Sequence, residues 1–271
     1  MDTIRLDELA AAQLQVELST AVALIMEGRI YIGDTPADKP GTMVSANTVL
    51  TCRMKNKKYA SRSGYKLEKA LSYFEIDPTG LTACDIGASN GGFTDCLLQN
   101  GAAHVFAVDV AYGILEWDLR NDERVSVLER TNARHLTTEQ LGNTSCDLVT
   151  VDVSFISLKK IFPAVRRILK PGGQLVTLIK PQFEAKKWQV GRFGILRDPE
   201  SVLPSLLADI FVCAAENGLS LQGLTVSPIY GTSGNVEYLA HYLCGEPAET
   251  TDANAYKPLI DAVLPLKPDA E

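Results

Sequence analysis

A mostly parallel, doubly wound α/β sheet closed by an antiparallel last strand, with a small α+β module ahead of it, is the fold class these 271 residues predict. Two observations carry the prediction. From residue 81 onward, short runs apolar along their whole length alternate with amphipathic stretches, and such runs belong to strands buried on both faces. Before residue 53 the pattern changes to two brief helical stretches and a short strand. Length supports both parts, since about 100 to 200 residues make one domain.

In chain order, "LDELAAAQL" and "AVALIMEG" read as helices, the second stopped by Gly28, and "IYI" as a strand. Residues 51–70 then carry Arg53, Lys55, Lys57, Lys58, Arg62, Lys66 and Lys69 against Glu68 alone, a local charge of +6. In "SGYKLEKALSYFEI", Tyr65, Leu67, Ala70, Leu71 and Phe74 fall at helical spacing, with Ser63 available as N-cap and Pro78 past the end. The strands follow as "LTACDIG", "HVFAVDV", "RVSVLER", "CDLVTVDVS" and "QLVTLIK". Between them lie the helical stretches "FTDCLLQNG", "YGILEWDLR", "NARHLTTEQLG" and "SLKKIFPAVRRILKPGG". A long helix near 199–217 precedes a final strand pair, "LSLQGLTVSPIY" and "NVEYLAHYL". The expected organisation is a module over 1–52, a basic linker over 53–62, a catalytic domain over 63–245 and a loosely ordered acidic tail over 246–271.

Net charge is −7, yet a polyanion within a Debye length of about 8 Å senses the local strip rather than the total. The competing reading of that strip is a solvated linker. The tail carries six acids against two lysines. Six cysteines are scattered without a C-x-x-C pair, so they are expected to be buried, reduced and metal-free. No metal and no membrane partner is expected: His104, His135 and His241 lack ligand spacing, and no stretch approaches the roughly 18 apolar residues of a membrane helix. The start of the chain has no secretory pattern, so a cytoplasmic protein is expected.

Candidate site residues come from the carboxyl ends of the strands, where open parallel sheets form their ligand crevice. "CDIGASNGGFTD" places Gly87, Gly91 and Gly92 after the first strand. Its G-x-x-x-G-G spacing matches neither the dinucleotide fingerprint nor the phosphate loop. Asp109 ends the next strand, where a carboxylate suits a ribose diol. A nucleoside carrying an amino-acid end fits this pattern, and S-adenosylmethionine is one; a nicotinamide dinucleotide fits less well because the second fingerprint glycine is absent. Asp152 and Lys180 end the fourth and fifth strands, Glu237 begins the last, and Lys66 approaches from the preceding helix. A lysine ending so apolar a strand requires a carboxylate or a substrate beside it.

Two lysines and two carboxylates suit methyl transfer to a hydroxyl, where alignment of a poor nucleophile and a destination for its proton are the main needs. Lysine holds its proton to about pH 10.4, and desolvation or a second cation lowers that value. Lys180 is therefore the candidate base or hydroxyl-orienting group, Lys66 the second cation, and Asp152 and Glu237 the groups that place the amines. A purely structural ion-pair network is the alternative. Ser154, lacking a G-x-S-x-G elbow, reads as a loop residue.

These stretches, with "YASRSGYKLEKAL", "LERTNAR", "LKPGGQLVTLIKPQFEA" and "GNVEYL", resemble the TlyA-type rRNA methyltransferases, a haemolysin A-named branch of the FtsJ-type 2'-O-methyltransferases, over roughly residues 1–243. The resemblance implies a Rossmann-like methyltransferase fold, S-adenosylmethionine as cofactor, and rRNA or ribosomal subunits as partner, with a cytidine 2'-hydroxyl as acceptor. It implies a catalytic tetrad at Lys66, Asp152, Lys180 and Glu237. The cofactor site would fall on Asp85, Gly87, Ser89, Asn90, Gly91, Gly92 and Phe93, with Asp109 and Val110 at the ribose and Asn132 near the adenine.

The first unit resembles a small RNA-binding module opened here by Arg5-Leu6-Asp7. It departs from that pattern where Glu17 and Leu18 replace a hydroxyl residue and an arginine, and residues 1–50 sum to −4. RNA contacts are therefore expected mainly from Arg53, Lys55, Lys57, Lys58 and Arg62, beside Arg5. "WQVGRFGILRDP" reads as a mobile loop near the site that contributes to target choice. The other readings are a non-catalytic RNA-binding or assembly factor and a membrane-lytic protein.

Overall fold

The computed structural model describes residues 2–52, 58–247 and 252–268. The chain forms two compact units, Met1–Lys58 and Tyr59–Glu271. In the first, helices Leu6–Leu14 and Leu18–Met26 present Leu6, Leu9, Ala10, Ala21, Leu24 and Ile25 at i, i+3 and i+4 spacing, and Ile30 and Leu50 complete that core. Gln15 ends the first helix in the left-handed conformation, its N–H returning to the Ala11 carbonyl. Strand Thr3–Arg5 pairs with Met43–Ser45, and Ile30–Ile32 lies between Thr35–Pro36 and Leu50–Cys52.

The second unit contains, in chain order, α1 (Ser63–Tyr73), β1 (Thr82–Ile86), α2 (Gly92–Gln99), β2 (His104–Val108), α3 (Trp117–Arg120), β3 (Val125–Leu128), β4 (Cys146–Val151), α4 (Phe162–Ile168), β5 (Leu169–Ile179), α5 (Pro181–Glu184), α6 (Pro199–Glu216), β6 (Leu219–Val226), β7 (Tyr238–Cys244) and α7 (Lys257–Val263). The seven strands lie in the order β6-β7-β5-β4-β1-β2-β3. Strands β1 to β5 pair in parallel where they touch, and β7 runs antiparallel to both β5 and β6.

Alternation explains the continuous apolar strands. Val149, Val151, Leu175, Ile179 and Tyr238 pack with α4 and α6, while Leu148, Val176, Leu178 and Leu239 pack with α1 and α2 on the opposite face. Each such large side chain stabilises the fold by roughly 1.5–3 kcal/mol through burial. The same parity carries forward to the strand ends and decides where the polar residues there emerge.

Several expectations are corrected. The acidic tail is not uniformly loose: α7 buries Ile260 and Val263 in the core beside α6, and the Tyr256 hydroxyl donates to the Phe211 carbonyl at 3.4 Å. Leu259, Ile260, Val263 and Leu264 make an apolar helical face that net charge conceals. The stretch 112–120 contracts to α3, and 132–142 forms 3-10 turns Ala133–His135 and Glu139–Leu141. Ser63 is the first residue of α1 rather than its cap; its hydroxyl meets Ser61 at 2.7 Å. Cys52 is exposed and Cys213 half-buried, the other cysteines being buried and all six free. Among the described residues no single helix is long and apolar enough to cross a membrane, and no cluster of His, Cys, Asp or Glu is placed to hold a metal.

Candidate active site

At the carboxyl end of β1 the chain turns sharply. Gly87 has φ +86°, its N–H donates to the Val108 carbonyl at 2.8 Å, and a Cβ there would overlap the Asp152 carbonyl. The turn opens a cavity of about 280 Å³ lined by Gly87, Ser89, Asp109, Val110, Asn132 and Asp152. Its volume lies near the lower end of the range for small-molecule sites. The Asp109 carboxylate accepts from the Ser89 and Ala111 N–H groups, both at 2.8 Å. It is thereby fixed in place, and its remaining lone pairs can still accept from a diol. Asn132 caps the turn after β3, accepting from the Arg134 N–H at 3.1 Å.

The other five residues expected at this cavity do not line it. Asp85 is fully buried and accepts from Thr94 Oγ1 at 2.7 Å and Thr150 Oγ1 at 3.0 Å, joining β1 to α2 and β4. Burial pushes its carboxyl up to about 7 against the opposing pull of the two threonine bonds. Gly91 and Gly92 permit close approach, but of protein: a Cβ on Gly91 would overlap Leu115 and Leu119, and one on Gly92 the Ser61 and Ser63 hydroxyls. Phe93 sits in the core, and Asn90 donates to the Ile114 carbonyl at 3.2 Å. Ile114, Ser154, Phe155 and Ile156 line the cavity without having been expected there. Their position just after β2 and β4 was the available signal.

The four residues expected to carry the chemistry form two lysine–carboxylate pairs, and of the four only Asp152 lines the cavity. Lys180 Nζ lies 2.6 Å from Asp152 Oδ1 and donates to Ser154 Oγ at 3.0 Å, so Ser154 is more than a loop residue. Lys66 Nζ donates to Glu237 Oε2 at 2.5 Å, with both side chains nearly sealed at 6% and 3% exposure. Register explains the assembly. Thr177 pairs with Val151 across β5 and β4, and Ile179 with Tyr238 across β5 and β7. Asp152, Lys180 and Glu237 thus extend three adjacent strands at one edge of the sheet, with the parity of the residues that pack beneath α1, the helix that supplies Lys66.

Of the expected RNA contacts, Arg53, Lys55 and Lys57 lie outside the described residues. Lys58 and Arg62 are exposed. Arg5 forms a two-pronged pair with buried Asp7, Nε to Oδ1 at 3.0 Å and Nη2 to Oδ2 at 2.6 Å, which offsets its charge and holds the Asp7 carboxyl below the usual range. Within the loop 188–199, Val190 and Leu196 form a β-bridge, and Gly191 N–H donates to the Ile195 carbonyl at 2.7 Å, which makes its centre a short hairpin.

The profile of the FtsJ-like methyltransferase family matches residues 59–242. A 16S/23S rRNA (cytidine-2'-O)-methyltransferase TlyA of Mycobacterium tuberculosis is 47% identical over 232 residues, covering 85% of this chain and 86% of the relative. Hemolysin A of Brachyspira hyodysenteriae is 38% identical, covering 89% and 100%. A solved structure bearing the hemolysin name, from Streptococcus thermophilus, superposes with a TM-score of 0.71 at 39% identity, covering 97% of this chain and 96% of that one.

Proposed function

The chain belongs to the FtsJ-like methyltransferases, and we propose that it transfers the methyl group of S-adenosylmethionine to a ribose 2'-hydroxyl of ribosomal RNA, at a cytidine as in the TlyA relative. The observation that carries this reading is the Lys180–Asp152 pair, whose carboxylate belongs to the wall of a nucleoside-sized cavity. The cavity residues suit the cofactor: Asp109 would accept from ribose hydroxyls, Asn132 would lie at the adenine, and the turn at Gly87 to Ser89 would take the amino-acid end. When bound there, S-adenosylmethionine supplies an electrophilic sulfonium methyl.

The chain's own contribution is alignment. Lys180 orients the 2'-oxygen, Asp152 and Ser154 fix the Lys180 amine, and the Lys66–Glu237 pair holds α1 against β7 so that the acceptor sugar meets a rigid wall. With the cofactor bound, the methyl would pass from sulfur to the 2'-oxygen, S-adenosylhomocysteine being the leaving group, and the hydroxyl proton would leave to the Lys180–Asp152 pair. Mapping 2'-O-methyl marks on rRNA with and without the protein tests the reading. A new mark at a cytidine supports it; no new mark, with S-adenosylmethionine binding absent by calorimetry, returns the chain to an RNA-binding or assembly role.

A further inference from the structure

The segment 185–198 carries Lys186, Lys187, Arg192 and Arg197 against Asp198 alone, and interleaves them with Trp188 and Phe193, exposed at 69% and 76%. Arg192 lies over the Phe193 ring at 5.7 Å. Exposed cations alternating with exposed aromatic faces are the means by which proteins hold single-stranded nucleic acid, the cations following phosphates and the rings stacking on bases.

The segment is also held. The side chain of Asn235, 6% exposed, donates from Nδ2 to the Gly194 carbonyl at 2.7 Å and accepts the Leu196 N–H at Oδ1 at 2.9 Å. Both ends of this amide thus grip the hairpin tip. Asn235 is two residues from Glu237, and its own carbonyl accepts the Gly231 N–H at 3.0 Å, in a turn where a Cβ on Gly231 would overlap the Glu237 carboxylate.

We propose that the 186–197 hairpin is a grip for the single-stranded RNA flanking the modified nucleotide, and that Asn235 is the positioning residue that seats this grip beside the Glu237 end of the catalytic wall. The proposal rests on the RNA-methyltransferase reading for its ligand. It assigns the flanking RNA to described residues outside the basic strip, and it makes the hairpin and Asn235 one mechanical unit.

The test combines R192A/F193A, Asn235→Ala and the triple variant, using an rRNA fragment that the parent binds. RNA Kd and KM, kcat, and the Kd for S-adenosylmethionine are measured. The double variant is expected to raise RNA Kd and KM tenfold or more, leave S-adenosylmethionine binding within twofold, and flatten the dependence of log Kd on log salt by about 0.7 for the lost cation. Asn235→Ala is expected to raise RNA KM about tenfold by itself. Added to the double variant it should raise KM less than threefold, because both act through one hairpin. A photo-reactive phenylalanine at 193 should crosslink to the RNA.

A shift in RNA Kd below threefold for R192A/F193A overturns the proposal, and this exposed pair can be read even if Asn235→Ala fails to fold. Fully multiplicative effects in the triple variant overturn the coupling. Binding to anionic vesicles that depends on Phe193, with RNA Kd unmoved, would assign the hairpin to a membrane surface and overturn it too. The two levels separate cleanly: a parent that methylates no RNA sinks the enzymatic reading, while a loss of RNA affinity in R192A/F193A supports the grip regardless.

Discussion

The two lysine–carboxylate pairs use the same chemistry in different settings. Lys66 and Glu237 join a helix to a strand behind an almost closed surface, whereas Lys180 and Asp152, at 13% and 14% exposure, stand where solvent or a substrate can reach them. A sealed pair has little to offer a reacting atom and much to lose when broken, since an orphaned buried charge is costly. An accessible pair beside a cavity is the reverse. On the proposed reaction, the difference divides the four residues into a structural couple that would align the wall and a reactive couple that would face the acceptor.

The largest expected effect is on chemistry. Lys180→Met should lower kcat by about 10²–10⁴, the range for a positioned proton-transfer group, while Tm and S-adenosylmethionine affinity change little. Activity within threefold of the parent would reverse the division. Lys66→Ala should instead cost about 3–5 kcal/mol of stability, read by urea unfolding. In a unit of this size that lowers Tm by roughly 6–20 °C. The double variant Lys66→Ala/Glu237→Ala should be less destabilised than the sum of the singles, because no charge is left buried alone. Additive losses would mean that the pair is not coupled.

Asp85 sharpens the contrast as a fully buried carboxyl that, among the described residues, bonds to two threonine hydroxyls and to no cation. Its folded carboxyl lies at about 7, above the roughly 3.9 of an unfolded aspartate. The native state therefore binds the proton more tightly, and stability present below pH ~4 is lost as pH rises through about 7. Asp85→Asn should remove that slope, so the variant gains on the parent between pH 4 and 8 by up to about 4 kcal/mol. A parallel pH profile for the two proteins would contradict this. The smallest effect is expected at Asp109: Asp109→Asn should weaken S-adenosylmethionine binding by roughly 5–50-fold in calorimetry, the range for one charge-assisted hydrogen-bonding group, with RNA affinity unchanged.

How much was legible in the sequence follows from periodicity. Continuous apolar runs predicted the parallel sheet, and a parallel sheet places ligand residues at its carboxyl ends, so Asp109, Asp152 and Lys180 were visible by position alone. Lys66, on the helix before the first strand, and Glu237, at the start of the last strand, were visible as candidates in the same way, but their direct pairing follows only from the β5–β7 register and the docking of α1. The glycine-rich loop was harder to read. A glycine reports that something approaches closely but not what, and the neighbours are Leu115 and Leu119 at Gly91, and Ser61 and Ser63 at the start of α1 at Gly92. Asp85 is one residue before Ile86 at the end of β1, and its parity turns it inward to Thr94 and Thr150 rather than toward the cavity. The hairpin at 190–196 reads from sequence only as a loop, because its anchor, Asn235, lies some forty residues away.

In the proposed reaction an accessible lysine–aspartate pair directs a methyl group onto a ribose oxygen. Nucleoside mass spectrometry of rRNA incubated with the protein and S-adenosylmethionine bearing a deuterated methyl tests it most directly. Label is expected in 2'-O-methylcytidine for the parent, and its loss in Lys180→Met under conditions where that variant still binds the cofactor. Label carried on a base, or undiminished label on the ribose in Lys180→Met, would contradict it.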